Sequence, residues 1–147
     1  MPARPSRTTA LTGDRRLVYA DSSALVKLVI EEPESQALAN HLRGRPTLAT
    51  SRLAVVEVSR ATALANPAAE VRRATARLLD SCVLVDLGRE LLRAAARLTS
   101  RAVRTLDAIH LASALRVDAD EFLAYDRILL AAAIQHGLLA SHPGADS

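Results

Sequence analysis

Residues 17–27 read LVYADSSALVK, and this stretch decides the fold. A strand-like apolar run, Leu17–Ala20, ends at an acid, Asp21, and a helix-forming run begins directly after it. Ser22 or Ser23 can cap that helix, because a serine hydroxyl accepts a hydrogen bond from a free amide of the first turn. A short strand followed at once by a helix is the repeating unit of a parallel α/β sheet.

The same alternation of strand and helix continues along the chain. Strands are predicted at about residues 16–20, 47–50, 83–85, 121–125 and 138–140. Helices are predicted at about residues 22–30, 34–43, 52–65, 68–81, 89–101, 106–116 and 128–136. This pattern predicts a three-layer α/β/α domain with a short, mostly parallel sheet. Ligands of such sheets bind outside the carboxyl ends of the strands.

The composition fits one globular domain. The chain has 147 residues, half of them hydrophobic, which is enough to bury a core. We predict a domain over residues 16–141 and a short C-terminal tail over residues 142–147. Residues 1–15 are predicted to form a basic, disordered N-terminal tail, or alternatively to precede the true start of the domain.

Cys82 is the only cysteine. A disulfide framework or a cysteine-rich zinc site within one chain is therefore excluded, and a reducing compartment is expected. The apolar runs are far shorter than the roughly 20 residues that a membrane-spanning helix needs. Residues 1–16 also lack the apolar core of a signal peptide. Together these features predict a cytoplasmic protein.

Four acidic residues interrupt or end apolar runs. Asp21 and Asp126 follow strand-like runs, Glu57 lies within an apolar helix, and Asp107 lies at the start of another helix. Each has an ordinary structural explanation by itself, as a helix cap, a helix-dipole acid or a surface partner of Arg60. A lone buried carboxylate is costly, however, so four of them at the ends of core elements predict one shared pocket. Such a pocket favours divalent cations.

Positive charge is concentrated in the middle of the sequence. Residues 43–116 contain thirteen arginines and six acidic residues, whereas residues 17–42 and 117–147 are net acidic. A basic region beside an acidic pocket suits a polyanionic substrate. The alternative is a solvated, arginine-rich surface from a GC-biased genome. The few aromatic residues provide no stacking platform for single-stranded nucleic acid, so binding would rest on charge, shape and metal.

Four segments of the chain match a known pattern. They are VYADSSALVK at 18–27, EVSR at 57–60, TLDAIHLASA at 105–114 and FLAYD at 122–126. With these segments the chain resembles the PIN-domain ribonucleases, and most closely the VapC-type toxins of type II toxin–antitoxin systems. The resemblance runs from about residue 17 to residue 140 and implies a PIN-like fold.

The resemblance also implies the site residues. The implied catalytic and metal-binding acids are Asp21, Glu57, Asp107 and Asp126, and the implied secondary residues of the pocket are Ser22 and Thr105. Arg60, beside the second acid, either contacts RNA or keeps its helix in solvent.

The activity implied by the resemblance is that of a Mg²⁺-dependent endoribonuclease, with Mn²⁺ as the alternative cation. It would hydrolyse RNA and leave a 5′-phosphate and a 3′-hydroxyl. Hard divalent cations prefer oxygen ligands, which four carboxylates supply. Such a cation activates water and neutralises charge in the transition state, so no side-chain nucleophile is required. Transfer RNA, ribosomal RNA and messenger RNA all remain open as targets.

The implied partners are a cognate antitoxin protein and a second copy of the chain in a homodimer. The apolar helices within residues 22–65 are predicted to contact the antitoxin. The antitoxin would block the site by offering an arginine or lysine to the acidic pocket.

One position departs from the family pattern. Family members often carry Thr or Ser two residues before the fourth acid, where this chain has Ala124. The missing hydroxyl favours a second hypothesis, a catalytically weak PIN domain that acts as an RNA-binding or complex-assembly module. A haloacid-dehalogenase-like hydrolase fits poorly, because Ser23 stands where its second Asp would be. A phosphotransfer receiver fits poorly too, because the only lysine is Lys27.

Two further residues lie near the acids in the sequence. His110 follows Asp107 by three residues on the same side of the helix. We interpret it as a packed structural histidine with a local hydrogen bond, not as a metal ligand. Lys27 is interpreted as a solvated helix residue, with a phosphate contact as the alternative.

Overall fold

The computed structural model describes residues 15–98 and 101–145. Its strands are β1 (Leu17–Ala20), β2 (Thr47–Ser51), β3 (Val83–Val85), β4 (Glu121–Leu123) and β5 (Ala140–Ser141). Its helices are α1 (Ser22–Lys27), α2 (Ser35–His41), α3 (Leu53–Ala65), α4 (Ala69–Ser81), α5 (Arg89–Ala96), α6 (Thr105–Arg116) and α7 (Arg127–Gln135).

The five strands form one sheet in the order β3-β2-β1-β4-β5, and each strand pairs in parallel with its neighbours. Val18 of β1 lies opposite Leu48 of β2 on one side and Glu121 of β4 on the other. The chain therefore runs from β1 through β2 to β3 at one edge of the sheet, and then crosses back to place β4 on the other side of β1. All carboxyl ends meet at one edge of the sheet, which is where such folds bind ligands.

Two hydrophobic clusters cover the two faces of the sheet. One cluster joins Tyr19 and Phe122 to residues of α5, α6 and α7. The other joins Val18 and Leu123 to residues of α1, α2, α3 and α4. Because successive side chains of a strand point to opposite faces, the neighbours Val18 and Tyr19 separate into different clusters. The predicted three-layer α/β/α domain is thus confirmed, with an all-parallel sheet among the described strands.

Several predicted boundaries were wrong. The first helix ends at Lys27, not residue 30, and Asp21 is its cap, not Ser22 or Ser23. The last strand is Ala140–Ser141 and not residues 138–140. The amide of Leu138 donates to the carbonyl of Ala133 at 3.0 Å, so Leu138 completes the end of α7 instead of entering the sheet.

The predicted tails stay predictions. Residues 1–14 and 146–147 lie outside the described residues, as do residues 99–100, within the predicted helix 89–101. The described helix there ends at Ala96. Within the described ranges, no helix combines the length and the apolar character needed to cross a membrane.

Candidate active site

An acidic pocket of about 440 Å³ opens at the carboxyl edge of the sheet. Its lining residues come from both halves of the chain and are Asp21, Ser22, Ser23, Glu57, Asp107, His110, Tyr125 and Asp126. The four acids singled out in the sequence therefore share one pocket, although each belongs to a different segment.

Asp21 lies at the centre of this edge, directly after β1. It is 5% exposed, and its Oδ1 accepts hydrogen bonds from the Ser23 hydroxyl at 2.7 Å and from the Ala24 amide at 3.0 Å. The other oxygen of Asp21, Oδ2, makes no hydrogen bond with the described residues. Because every buried side-chain oxygen of those residues has a partner, Oδ2 is not buried, and it opens into the pocket. Burial raises the pKa of Asp21 above its usual range, while those two hydrogen bonds act in the opposite direction and Asp107 adds to the rise.

Glu57 reaches the pocket from α3. Its Oε1 accepts hydrogen bonds from the Ser22 hydroxyl at 2.6 Å and from Nε2 of His110 at 2.7 Å. Partial burial acts to raise the pKa of Glu57, but the hydrogen bonds from His110 and Ser22 outweigh it, and the pKa falls below its ordinary value. Glu57 is therefore held as a carboxylate in a fixed orientation.

Asp107 and Asp126 complete the acidic wall. Asp107 lies in the first turn of α6, and no described residue donates a hydrogen bond to its carboxylate. Burial raises the pKa of Asp107, and the nearby charges of Asp126 and Glu57 raise it further. Asp126 is exposed on the rim and caps α7, where its Oδ1 accepts from the Leu129 amide at 2.9 Å.

This donor set fits a hard divalent cation. Three of the carboxylates use one oxygen for hydrogen bonds within the protein and keep the second for another ligand. The raised pKa values of Asp21 and Asp107 reflect buried, crowded negative charge, which a cation would relieve. Within residues 15–98 and 101–145, no three acidic, histidine or cysteine side chains converge closely enough to enclose an ion by themselves. An open arrangement suits Mg²⁺, which binds through one or two carboxylates and keeps several waters.

The three predicted substrate-binding residues, Ser22, Thr105 and Arg60, differ in position. Ser22 lines the acidic pocket and donates to Glu57. Thr105 lines a separate cavity of about 290 Å³, with residues such as Leu92 and Val103. It is the first residue of α6, two positions before Asp107, so the helix turns its side chain away from the acids. Arg60 is exposed and makes no ion pair with Glu57.

One interpretation from the sequence was wrong in part and another entirely: His110 is buried and packed as predicted, but its hydrogen-bond partners differ. The hydrogen bonds of His110 are not local, because they join it to Tyr19 and Glu57 across the domain. Lys27 is not a solvated residue: its side chain is 10% exposed, lies 4.7 Å above the Tyr125 ring and pairs with Glu34 at 3.1 Å. The one signal in the sequence that could have placed His110 in the pocket was its position one turn after Asp107.

Nothing in the sequence indicated a further buried acid outside the pocket, Glu121. Glu121 opens β4 and is 2% exposed, with Arg16 at 2.9 Å and His41 at 2.5 Å. It lies at the amino edge of the sheet, opposite the acidic pocket. An acid within a strand can therefore be a structural ion-pair member as well as a site residue.

The fold is that of a known domain family. The model of the PIN domain family matches residues 18–135, and the chain belongs to that family. Ribonuclease VapC46 of Mycobacterium tuberculosis is 41% identical over 128 residues, which cover 86% of this chain and 97% of that protein. The resemblance to VapC-type toxins is thereby confirmed.

Solved structures share the fold at low sequence identity. The sarcin–ricin-loop-cleaving toxin VapC20 of Mycobacterium tuberculosis superposes with a TM-score of 0.68 at 16% identity, covering 86% of this chain and 99% of that chain. A chain of a toxin–antitoxin complex from Klebsiella pneumoniae gives a TM-score of 0.59 at 15% identity, covering 74% and 86%.

Proposed function

We propose that this chain is a metal-dependent endoribonuclease toxin that cleaves RNA phosphodiester bonds. The observation that carries the proposal is the convergence of Asp21, Glu57, Asp107 and Asp126 on one pocket at the carboxyl edge of the sheet. The kinship with Ribonuclease VapC46 supports RNA as the substrate.

The four acids act as the metal-binding and catalytic residues. A bound Mg²⁺, or Mn²⁺ in its place, would supply an activated water and neutralise charge on the phosphate. Asp21 and Glu57 each present one free carboxylate oxygen because hydrogen bonds fix the other. Asp107 has no such partner among the described residues, so both of its oxygens are available. Without a cation, this cluster would repel a phosphodiester, and productive RNA binding therefore requires the metal.

RNA contacts outside the pocket rest on charge. Exposed arginines lie close in sequence to the pocket acids: Arg60 is one turn after Glu57 on α3, Arg104 comes just before α6, and Arg127 follows Asp126. We propose Arg60 as a contact to the RNA backbone and Ser22 as a residue of the substrate pocket. Thr105 is not proposed, because it lines a different cavity.

We also propose a cognate antitoxin and a homodimer as the protein assemblies. Helix α3 exposes Val55, Val56 and Leu64, and this apolar surface lies within the region predicted to contact an antitoxin. A cationic side chain of the antitoxin would then reach the acidic pocket from α3 and compete with metal. Size measurements of the chain alone and with its antitoxin test both assemblies.

The decisive experiment measures RNA cleavage by the purified chain with Mg²⁺, with Mn²⁺ and with EDTA. Asp21→Asn and Asp107→Asn remove charge at nearly constant shape, and each should lower the cleavage rate by roughly a hundredfold or more. Asp80→Asn, on the exposed side of α4, is the matched control and should cleave like the wild type. Cleavage that persists in EDTA or in both pocket variants would contradict the proposal.

The second candidate function is RNA binding without turnover. Ala124 favours it, because this fully buried position two residues before Asp126 has no hydroxyl to orient that acid. RNA binding that requires Mg²⁺ but yields no product over hours would support this function instead of the first.

A further inference from the structure

A chain of hydrogen bonds crosses the domain and ends on Glu57. The Tyr19 hydroxyl lies 2.7 Å from Nδ1 of His110, and Nε2 of His110 lies 2.7 Å from Oε1 of Glu57. The three residues belong to β1, α6 and α3, so the chain links the central strand to helices on opposite faces of the sheet.

Packing in the core fixes the two buried residues of this hydrogen-bond series, Tyr19 and His110. Tyr19 is 0% exposed and His110 is 2% exposed. The Tyr19 ring stacks on Phe122 with centroids 5.6 Å apart and meets the imidazole edge-on at 5.9 Å. The imidazole therefore cannot rotate freely, and the direction of its Nε2 is set by the core.

The hydrogen bonds also set which nitrogen carries the proton. A phenol is protonated at neutral pH and donates to Nδ1, which places the imidazole proton on Nε2, facing Glu57. The Ser22 hydroxyl donates to the same Oε1 at 2.6 Å. Two donors thus fix one oxygen of Glu57 and leave Oε2 for a ligand in the acidic pocket.

We propose that His110 and Tyr19 are positioning residues that hold the Glu57 carboxylate ready for a divalent cation. This inference rests on the proposed function, since the cation is the one that the acidic pocket would bind. Outer partners that orient a metal-binding side chain typically change metal affinity about 10–100-fold when they are removed.

The test measures the dissociation constant of Mn²⁺ by titration calorimetry, without RNA. His110→Leu should weaken Mn²⁺ binding about 10–100-fold. His110→Gln keeps a donor near the position of Nε2 and should recover most of the loss. Tyr19→Phe keeps the stacked ring but frees Nδ1, and should give a smaller loss than His110→Leu.

A matched control separates positioning from general damage. Thr62 of α3 hydrogen-bonds Thr75 of α4 at 2.9 Å, and both residues are buried away from the acidic pocket. Thr75→Val removes this buried bond of α3 and should leave Mn²⁺ affinity unchanged. A double-mutant cycle adds a second readout: in a Glu57→Gln background, His110→Leu should cause little further loss of affinity.

The outcomes distinguish this inference from the proposed function. Wild-type chain that binds no Mn²⁺ and cleaves no RNA overturns the proposed function, and this inference with it. The positioning role alone is overturned if the wild type binds Mn²⁺ and cleaves RNA while His110→Leu and Tyr19→Phe bind Mn²⁺ within twofold of the wild type. A loss in Thr75→Val as large as in His110→Leu also overturns it. Should His110→Leu fail to fold, Tyr19→Phe and His110→Gln decide the question.

Discussion

At the scale of single residues, the acidic pocket concentrates negative charge that the folded chain does not neutralise by itself. Burial raises the pKa of Asp21 and of Asp107, and Asp126 and Glu57 raise that of Asp107 further. A group whose pKa is higher in the folded state than in the unfolded state binds more protons when folded. The metal-free protein should therefore gain stability from these acids as the pH falls towards their raised pKa values.

The raised pKa of Asp107 leads to a prediction for the stability of Asp107→Asn. In EDTA at neutral pH, the variant should unfold at a higher temperature than the wild type, because it removes a carboxylate repelled by its neighbours. The advantage should shrink as the pH falls and the wild-type acid takes up a proton. Thermal unfolding followed by circular dichroism at two pH values measures both effects. A variant less stable than the wild type at neutral pH would show that charge repulsion is not the dominant effect at this position.

A second prediction concerns the buried ion-pair group at the opposite edge of the sheet. His41→Ala removes one of the two ion-pair partners of Glu121 named above and keeps the other, Arg16. Because His41 is partly exposed, the substitution should lower the free energy of unfolding by about 1–2 kcal/mol. Urea denaturation measures this loss. The cleavage rate per folded molecule should not change, because this group does not line the acidic pocket. A lost cleavage rate at full folding would contradict a purely structural role.

At the scale of elements, three of the four pocket acids lie at the starts of helices. Helices α1 and α7 each begin immediately after an Asp that caps them, Asp21 and Asp126, and α6 carries Asp107 in its first turn. Acids are favoured at helix N-termini, where amides are unpaired and the helix dipole is positive. The same placement brings the side chains to the carboxyl edge of the sheet. Capping and site geometry are therefore two results of one arrangement.

The two roles of Asp126 can be separated by substitution. Asp126→Ala removes both the cap and the charge, and should lower the free energy of unfolding by about 1 kcal/mol. Asp126→Ser keeps a capping oxygen without the charge, and should retain most of that stability. Both variants should weaken Mn²⁺ binding. Chemical denaturation and metal titration of the pair check this prediction, and unequal metal affinities in the two variants would contradict it.

At the scale of the whole molecule, charge is divided between an acidic pocket and an arginine-rich surface. RNA binding by the inactive Asp107→Asn variant should weaken steeply with salt, because cations on the RNA are released on binding. Arg60→Gln should reduce the slope of log affinity against log salt by about 0.7 if Arg60 contacts one phosphate. Arg43→Gln, just before β2 at the amino edge of the sheet, is the control and should keep the full slope. Equal slopes for both variants would remove Arg60 from the interface.

The sequence was sufficient for the architecture because alternating apolar runs and helix caps are local signals. The strands at 16–20, 47–50 and 83–85 were placed within about one residue for this reason. The contacts of Lys27 and His110 were not predictable in the same way. The ammonium of Lys27 lies over the ring of Tyr125, and His110 is hydrogen-bonded to Tyr19, 91 residues away. Such contacts depend on sheet order, which local patterns do not specify.

The last predicted strand is a second case in which a local sequence pattern did not determine the structure. Leu138–Ala140 follows Gly137 and has a strand-like composition. The positive φ of Gly137, 87°, lets the chain turn back so that Leu138 closes α7, and this closure takes precedence over pairing. Only the next residues are free to join β4.

The sheet order has a consequence for how this chain is made. Strand β1 is completed by β4, which is synthesised more than a hundred residues later, and Val18 pairs with Glu121. A nascent chain on the ribosome thus holds Asp21, Glu57 and Asp107 while the strand that leads to Asp126 is still missing. The pocket with all four acids can therefore form only after β4 and Asp126 have been synthesised, so under the proposed function an unfinished chain should not cleave RNA.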